Sequence, residues 1–185
     1  MCMKVVSLLI LCISGCAPGG DGAGEVRSTE DAPWSMDAAA TFLWRPAENN
    51  DGGAGQGGLF ISVDSLKCSD VDQTARGVRD RKRGLLFRLG YKTHKDPQVD
   101  PPAWDGLYMT GGADTMGQVV ERTLDVEAWN DGSIFVIDGE SWVDIDEGKQ
   151  SEFRGTFSTP WWSGSFAAEV CPDGGNGAVG DDTGL

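Results

Sequence analysis

A two-residue period of apolar side chains is what most limits the folds open to this chain. In Leu85-Leu86-Phe87-Arg88-Leu89-Gly90-Tyr91 every odd position is apolar, and Arg88 and Gly90 alternate with them. Val120, Leu124, Val126 and Ala128 are likewise set against Glu121, Thr123, Asp125 and Glu127. A period of two places one set of side chains on each face of an extended strand, whereas a helix needs apolar residues three and four apart. Asn130-Asp131-Gly132 then supplies residues that tolerate positive φ, and Ile134-Phe135-Val136-Ile137 resumes as an apolar run, so the two segments predict a hairpin. Asp138-Gly139 opens another turn. Val143 and Ile145 alternate with Asp144 and Asp146, and Phe153 and Phe157 flank Gly155, which together predict a four-strand meander. Further strands are expected at 41–44, 59–63, 106–110 and 165–171. Short strands with turn signals between them, and no long helical pattern, predict an all-β fold, either an antiparallel β-sandwich or an open barrel.

Glycine-rich tracts interrupt and flank this region. The segment Asn49-Asn50-Asp51-Gly52-Gly53-Ala54-Gly55-Gln56-Gly57-Gly58 and residues 173–185 carry too few apolar side chains to offset the entropy of ordering them, and are expected to be loop and disordered tail. Residues 16–36 read the same way, as a flexible tether whose r.m.s. span would be on the order of 25 Å. That leaves residues 37–172 as one β-rich domain, long enough for a single sizeable core.

The first residues carry an export pattern. Lys4 precedes the apolar run Val5-Val6-Ser7-Leu8-Leu9-Ile10-Leu11-Cys12-Ile13, which at about 1.5 Å per residue is too short to cross a hydrocarbon core about 30 Å thick. It suits a cleaved signal of residues 1–15. Ile13-Ser14-Gly15-Cys16 resembles the lipobox of bacterial lipoproteins. The resemblance implies that Cys16 is joined to diacylglycerol, becomes the first residue of the mature protein and is N-acylated. Ala17, where an Asp would signal inner-membrane retention, implies the outer membrane. With two or three chains at about 0.8 kcal/mol per buried methylene, such an anchor is stable without a transmembrane helix. The whole resembles small β-sandwich lipoproteins of Gram-negative bacteria, through the lipobox and the Gly/Asp-rich tether. Within the domain the likeness rests on Gly106-Leu107-Tyr108 and on Gly155-Thr156-Phe157 leading toward Cys171. It carries over no catalytic residue.

Cys2 and Cys12 leave with such a signal and Cys16 takes the lipid, so Cys68 and Cys171 remain as a pair. In an exported protein a surviving pair predicts a disulfide. Metal is not expected: the chain has one histidine, His94, and no Cys-x-x-Cys. Asp144-Ile145-Asp146-Glu147-Gly148 and Asp70-Val71-Asp72 space carboxylates two apart, but neither completes an EF-hand loop, and both read as solvated charges.

Motifs for catalysis and cofactors are missing: there is no G-x-S-x-G elbow, no H-E-x-x-H, no phosphate-binding glycine loop and no second histidine for a proton relay. The acidic residues are too many to nominate one glycosidase pair. A formal net charge of −14 disfavours nucleic acid. Positive charge gathers only in Arg76, Arg79, Arg81, Lys82 and Arg83, expected either to pair locally with Asp70, Asp72 and Asp80 or to form an anion site. Pro160-Trp161-Trp162-Ser163-Gly164 places two adjacent rings at a turn, where both entering the core is difficult, so one or both are candidate recognition groups for a sugar or a protein. Two classes of function follow for an envelope protein held to its membrane by lipid. One is a non-catalytic module binding a protein, glycan or envelope component; the other is a structural or assembly lipoprotein without a small ligand. A glycan-active hydrolase ranks behind both.

Overall fold

The structure, a computed structural model, describes residues 23–37, 40–46, 54–72, 82–93, 104–112, 120–148 and 152–171. The signal, Cys16, His94, Arg76, Arg79, Arg81 and the tail lie outside them. The described chain is nearly all β, a curled, largely antiparallel sheet that forms a half-barrel, so of the two expected architectures the open barrel is the one adopted.

Its strands are β1 (Ala23–Ser28), β2 (Thr41–Pro46), β3 (Ala54–Ser62), β4 (Gly84–Thr93), β5 (Gly106–Met109), β6 (Val120–Asn130), β7 (Ser133–Val136), β8 (Trp142–Gly148), β9 (Glu152–Ser158) and β10 (Trp162–Val170), with one short helix, α1 (Cys68–Asp72). The sheet order is β5-β8-β9-β10-β2-β3-β4-β6-β7. One edge of β10 is shared: β1 pairs antiparallel along its first part, and β2 pairs parallel at Glu169↔Leu43 and Val170↔Trp44. The curl brings β5 back against β6, where the Arg122 guanidinium donates to the Asp105 carbonyl and lies 5.6 Å from the Tyr108 ring.

Alternation on the strands becomes two packed faces. Phe42, Trp44, Leu59, Ile61, Leu85, Phe87, Leu89, Leu124 and Ala128 fill the inside of the curl, joined by Phe153, Phe157, Trp162 and Phe166 from β9 and β10. The intervening Leu43, Phe60, Leu86 and Trp129 point outward, and the segment carrying Leu66, Cys68 and Val71 covers them. This is why Leu85-Leu86-Phe87 is apolar without a break: these central strands are buried on both faces. Cys68 and Cys171 are joined as a disulfide, as expected, which clamps α1 over this outer cluster; the Cys171 N–H donates to the Trp44 carbonyl at 2.7 Å.

Three expectations need correction. The segment read as tether contributes β1, and Trp34 and Met36 behind it are buried in the core. Local bonds hold this connection in place: Asp37 Oδ1 accepts from the Ser28 N–H at 2.6 Å and Ser28 Oγ accepts from the Met36 N–H at 2.8 Å. The Ser28 bond, and then Ser35, hold the Asp37 carboxyl below its usual range. The glycine tract read as loop supplies the first half of β3. A Cβ at Gly57 would lie 2.4 Å from the Trp44 ring, and one at Gly55 2.4 Å from the Tyr91 ring, so these glycines leave room for aromatic rings laid across the strand. Finally, the four-strand meander is broken. β6 and β7 form the expected hairpin, with Asp131 at φ 45° and Gly132 at φ 80° in a two-residue turn. The chain then leaves that edge, and β8 pairs with β5 and β9 instead, so the continuous meander is β8-β9-β10. Asp146 is the extra residue of a bulge between Ile145 and Glu147.

Candidate functional site

The fold encloses one of the two tryptophans singled out by the sequence, and it ties the described part of the basic segment, Lys82 and Arg83, to a neighbouring loop. At the Trp161-Trp162 turn, Thr159 Oγ1 accepts from the backbone N–H groups of Trp161 (3.3 Å) and Trp162 (2.9 Å), while the Thr159 N–H donates to the Trp162 carbonyl at 2.7 Å. This tight turn points the two rings differently. Trp162 enters the core with 0% exposure, its Nε1 donating to the Trp34 carbonyl at 3.2 Å, and Trp161 stays half-buried against it. Trp162 therefore offers no recognition face, and only Trp161 remains near the surface. Lys82 and Arg83 are tied to the loop after β3: Lys82 Nζ donates to the Ser65 carbonyl at 2.7 Å, and the Arg83 N–H donates to Asp64 Oδ2 at 2.8 Å. Their partners are Asp64 and Ser65 rather than Asp70, whose carboxylate accepts the Lys67 N–H. Among the described residues no group of three or more His, Cys, Asp or Glu side chains is placed to hold a metal ion.

The half-barrel opening beside β5 is aromatic. Trp104 is half-buried between Trp44 (4.8 Å) and Tyr91 (4.7 Å), and the Tyr108 hydroxyl donates to the Trp104 carbonyl at 2.8 Å. Burial pushes the Tyr108 phenol well above its ordinary range, against the opposing effect of Arg122, and pushes Tyr91 up as well. The Tyr108 phenol serves as a hydrogen-bond donor to the Trp104 segment, and the Tyr91 ring packs edge-on against Trp104.

What the sequence did not single out is β7. Its four residues are all exposed, with Ile134 at 53%, Phe135 at 36% and Val136 at 77%. Register places Ile134 opposite Trp129 and Val136 opposite Glu127, on the outer face, and Phe135 opposite Ala128, facing inward. Phe135 lies 5.3 Å from the Trp34 ring, and Trp34 lies 4.7 Å from Trp162, so an aromatic row running on to Trp161 backs the strand from inside. β7 is backed from inside, yet among the described residues nothing pairs with its outer edge, and its side chains are exposed. Of the other edges among the described strands, β5 lies back against β6, and β1 carries the exposed charged side chains of Glu25 and Arg27, 3.6 Å apart, which blunt an edge against pairing. β7 has no such guard. A signal was present in the sequence: Ile134-Phe135-Val136-Ile137 has no polar residue to face water, and only Ile137 is buried.

No protein-family model matches the chain, and neither curated proteins nor solved structures show significant similarity to it.

Proposed function

We propose that this chain is a lipid-anchored, non-catalytic binding module of the bacterial cell envelope, and that it engages a protein through β7. The observation that carries the reading is an edge strand, packed on its inner side against Trp34, with three exposed apolar side chains, since contiguous apolar surface on an otherwise charged domain marks a contact site. A protein suits it better than a glycan. Branched aliphatic side chains offer a sugar no flat ring, and the tryptophan pair that could offer one is largely enclosed.

The anchor half of the proposal rests on Ile13-Ser14-Gly15-Cys16. Six residues separate Cys16 from β1, so the chain between them reaches at most about 25 Å and would keep the domain close to the bilayer. Replacing Cys16 by Ser should abolish acyl labelling and release the protein from the membrane fraction; a variant still labelled and sedimenting with membranes would remove the anchor.

The binding half is tested by a photoreactive benzophenone side chain placed at position 136, or at the exposed position 27 on β1, in the native host. Discrete cross-linked protein is expected from position 136 and not from position 27. Equal yields from both would mean that β7 is ordinary surface.

A further inference from the structure

The occupant of β7 can be specified from its backbone and its surroundings. In a two-residue hairpin the pair flanking the turn, Asn130 and Ser133, exchanges both ladder bonds, and antiparallel bonding then alternates. Ser133 and Phe135 are thus the residues bonded to β6. Ile134 and Val136 turn their N–H and C=O groups to the free edge, and the same two residues carry the most exposed apolar side chains of the strand. Donor, acceptor and apolar surface coincide over two alternate residues, the pattern an added strand requires.

Charge decides which strand. Asp131 lies at one end of β7 and Asp138 and Glu140 beyond the other, all three exposed. A second copy of this chain, paired antiparallel, would set these acids against each other, and each copy carries a formal charge of −14. A segment with basic ends meets opposite charge at both limits of the strand.

We infer that β7 binds an extended segment of another protein by strand addition, with apolar side chains at alternate positions beside Ile134 and Val136 and lysine or arginine at its ends. This rests on the reading of β7 as a binding surface and adds the chemistry of its partner.

The test uses the full chain in mild detergent and a fluorescent octapeptide of alternating threonine and valine with a lysine at each end. Three comparison peptides carry glutamate ends, backbone N-methyl groups on alternate residues, or a scrambled order. Saturable binding of the lysine peptide is expected, weakened about tenfold or more by glutamate ends at low salt, and lost on N-methylation or scrambling. Val136→Pro removes an N–H that points away from β6, so it should abolish binding while the melting temperature holds. Ile134→Thr with Val136→Thr keeps strand propensity and provides the same comparison should the proline variant misfold.

Equal binding of the lysine and glutamate peptides, or undiminished binding of the N-methylated one, overturns the inference. So does self-association of the chain that Val136→Pro abolishes, since the occupant is then a second copy. Tighter peptide binding after Arg76→Ala, Arg79→Ala and Arg81→Ala would overturn it too, because the chain's own basic segment would be the occupant. If cross-linking from position 136 persists while no peptide binds, strand addition fails and the contact surface stands; if both are absent, the binding function fails with it.

Discussion

Removing the Cys68–Cys171 disulfide, by Cys68→Ala with Cys171→Ala, is expected to lower the unfolding free energy by about 3–5 kcal/mol. The bridge spans 103 residues. The chain-entropy model assigns a loop of that order about 4.7 kcal/mol, through the conformations it removes from the unfolded ensemble. A second contribution comes from packing. The bond holds α1 over Leu43, Phe60, Leu86 and Trp129, and without it this outer cluster keeps only its own contacts against water. Urea unfolding of the double variant and of the reduced wild type should show the same large drop in midpoint, while the unreduced wild type should yield no alkylatable thiol from this pair. A loss under about 1 kcal/mol would mean that packing alone holds α1 and that the bridge adds little.

The second large effect is expected at Trp162. Truncation to Ala should cost about 3–5 kcal/mol, the range for a large buried aromatic, because it opens a cavity beside Trp34 and leaves the Trp34 carbonyl without its donor. Trp161→Ala, at a half-buried ring, should cost roughly 1 kcal/mol or less. Trp162→Phe should fall between them, keeping most of the packing and losing the hydrogen bond. Melting temperatures of the three variants give the ranking directly, and equal losses at positions 161 and 162 would contradict the asymmetry of the turn. Peptide binding should survive Trp161→Ala. In Trp162→Ala it should weaken only as far as β7 loses the support of Phe135 on Trp34, which separates a supporting ring from a contacting one.

Alternation was the legible part. Arg88 and Gly90 between apolar neighbours, and the acids of β6 and β8 between theirs, identified strands and their faces because side-chain direction along a strand depends only on local backbone geometry. The Asn130-Asp131-Gly132 turn was legible for the same kind of reason, since positive φ at Asp131 and Gly132 is a property of those residues. The disulfide was legible from a count of cysteines, once Cys2, Cys12 and Cys16 are assigned to the expected signal and lipid site.

Other features depend on what a strand meets. Val26 is the one large apolar side chain in β1, too little to announce a strand, and β1 exists because the edge of β10 is there to pair with it. Gly55 and Gly57 read as loop because glycine has no side chain to bury; the rings of Trp44 and Tyr91 that occupy the space come from neighbouring strands. The apolar run at Ile134 reads as the second strand of a hairpin within a meander, and becomes an exposed edge because β8 pairs with β5 and β9 and leaves β7 outermost.

By itself, then, the sequence determined that the chain is extended, where its strands lie along the alternating segments, which face of each is apolar, and which two cysteines join. Only the tertiary structure decided which strands are neighbours, that the sheet curls rather than splitting into two layers, which tryptophan is enclosed, and that β7 is outermost among the described strands. The division has one physical cause. Face and turn are set by each residue's own torsions and chemistry, whereas neighbour and edge are set by hydrogen-bond ladders between residues far apart in the chain, for which a period of two permits many pairings and selects none.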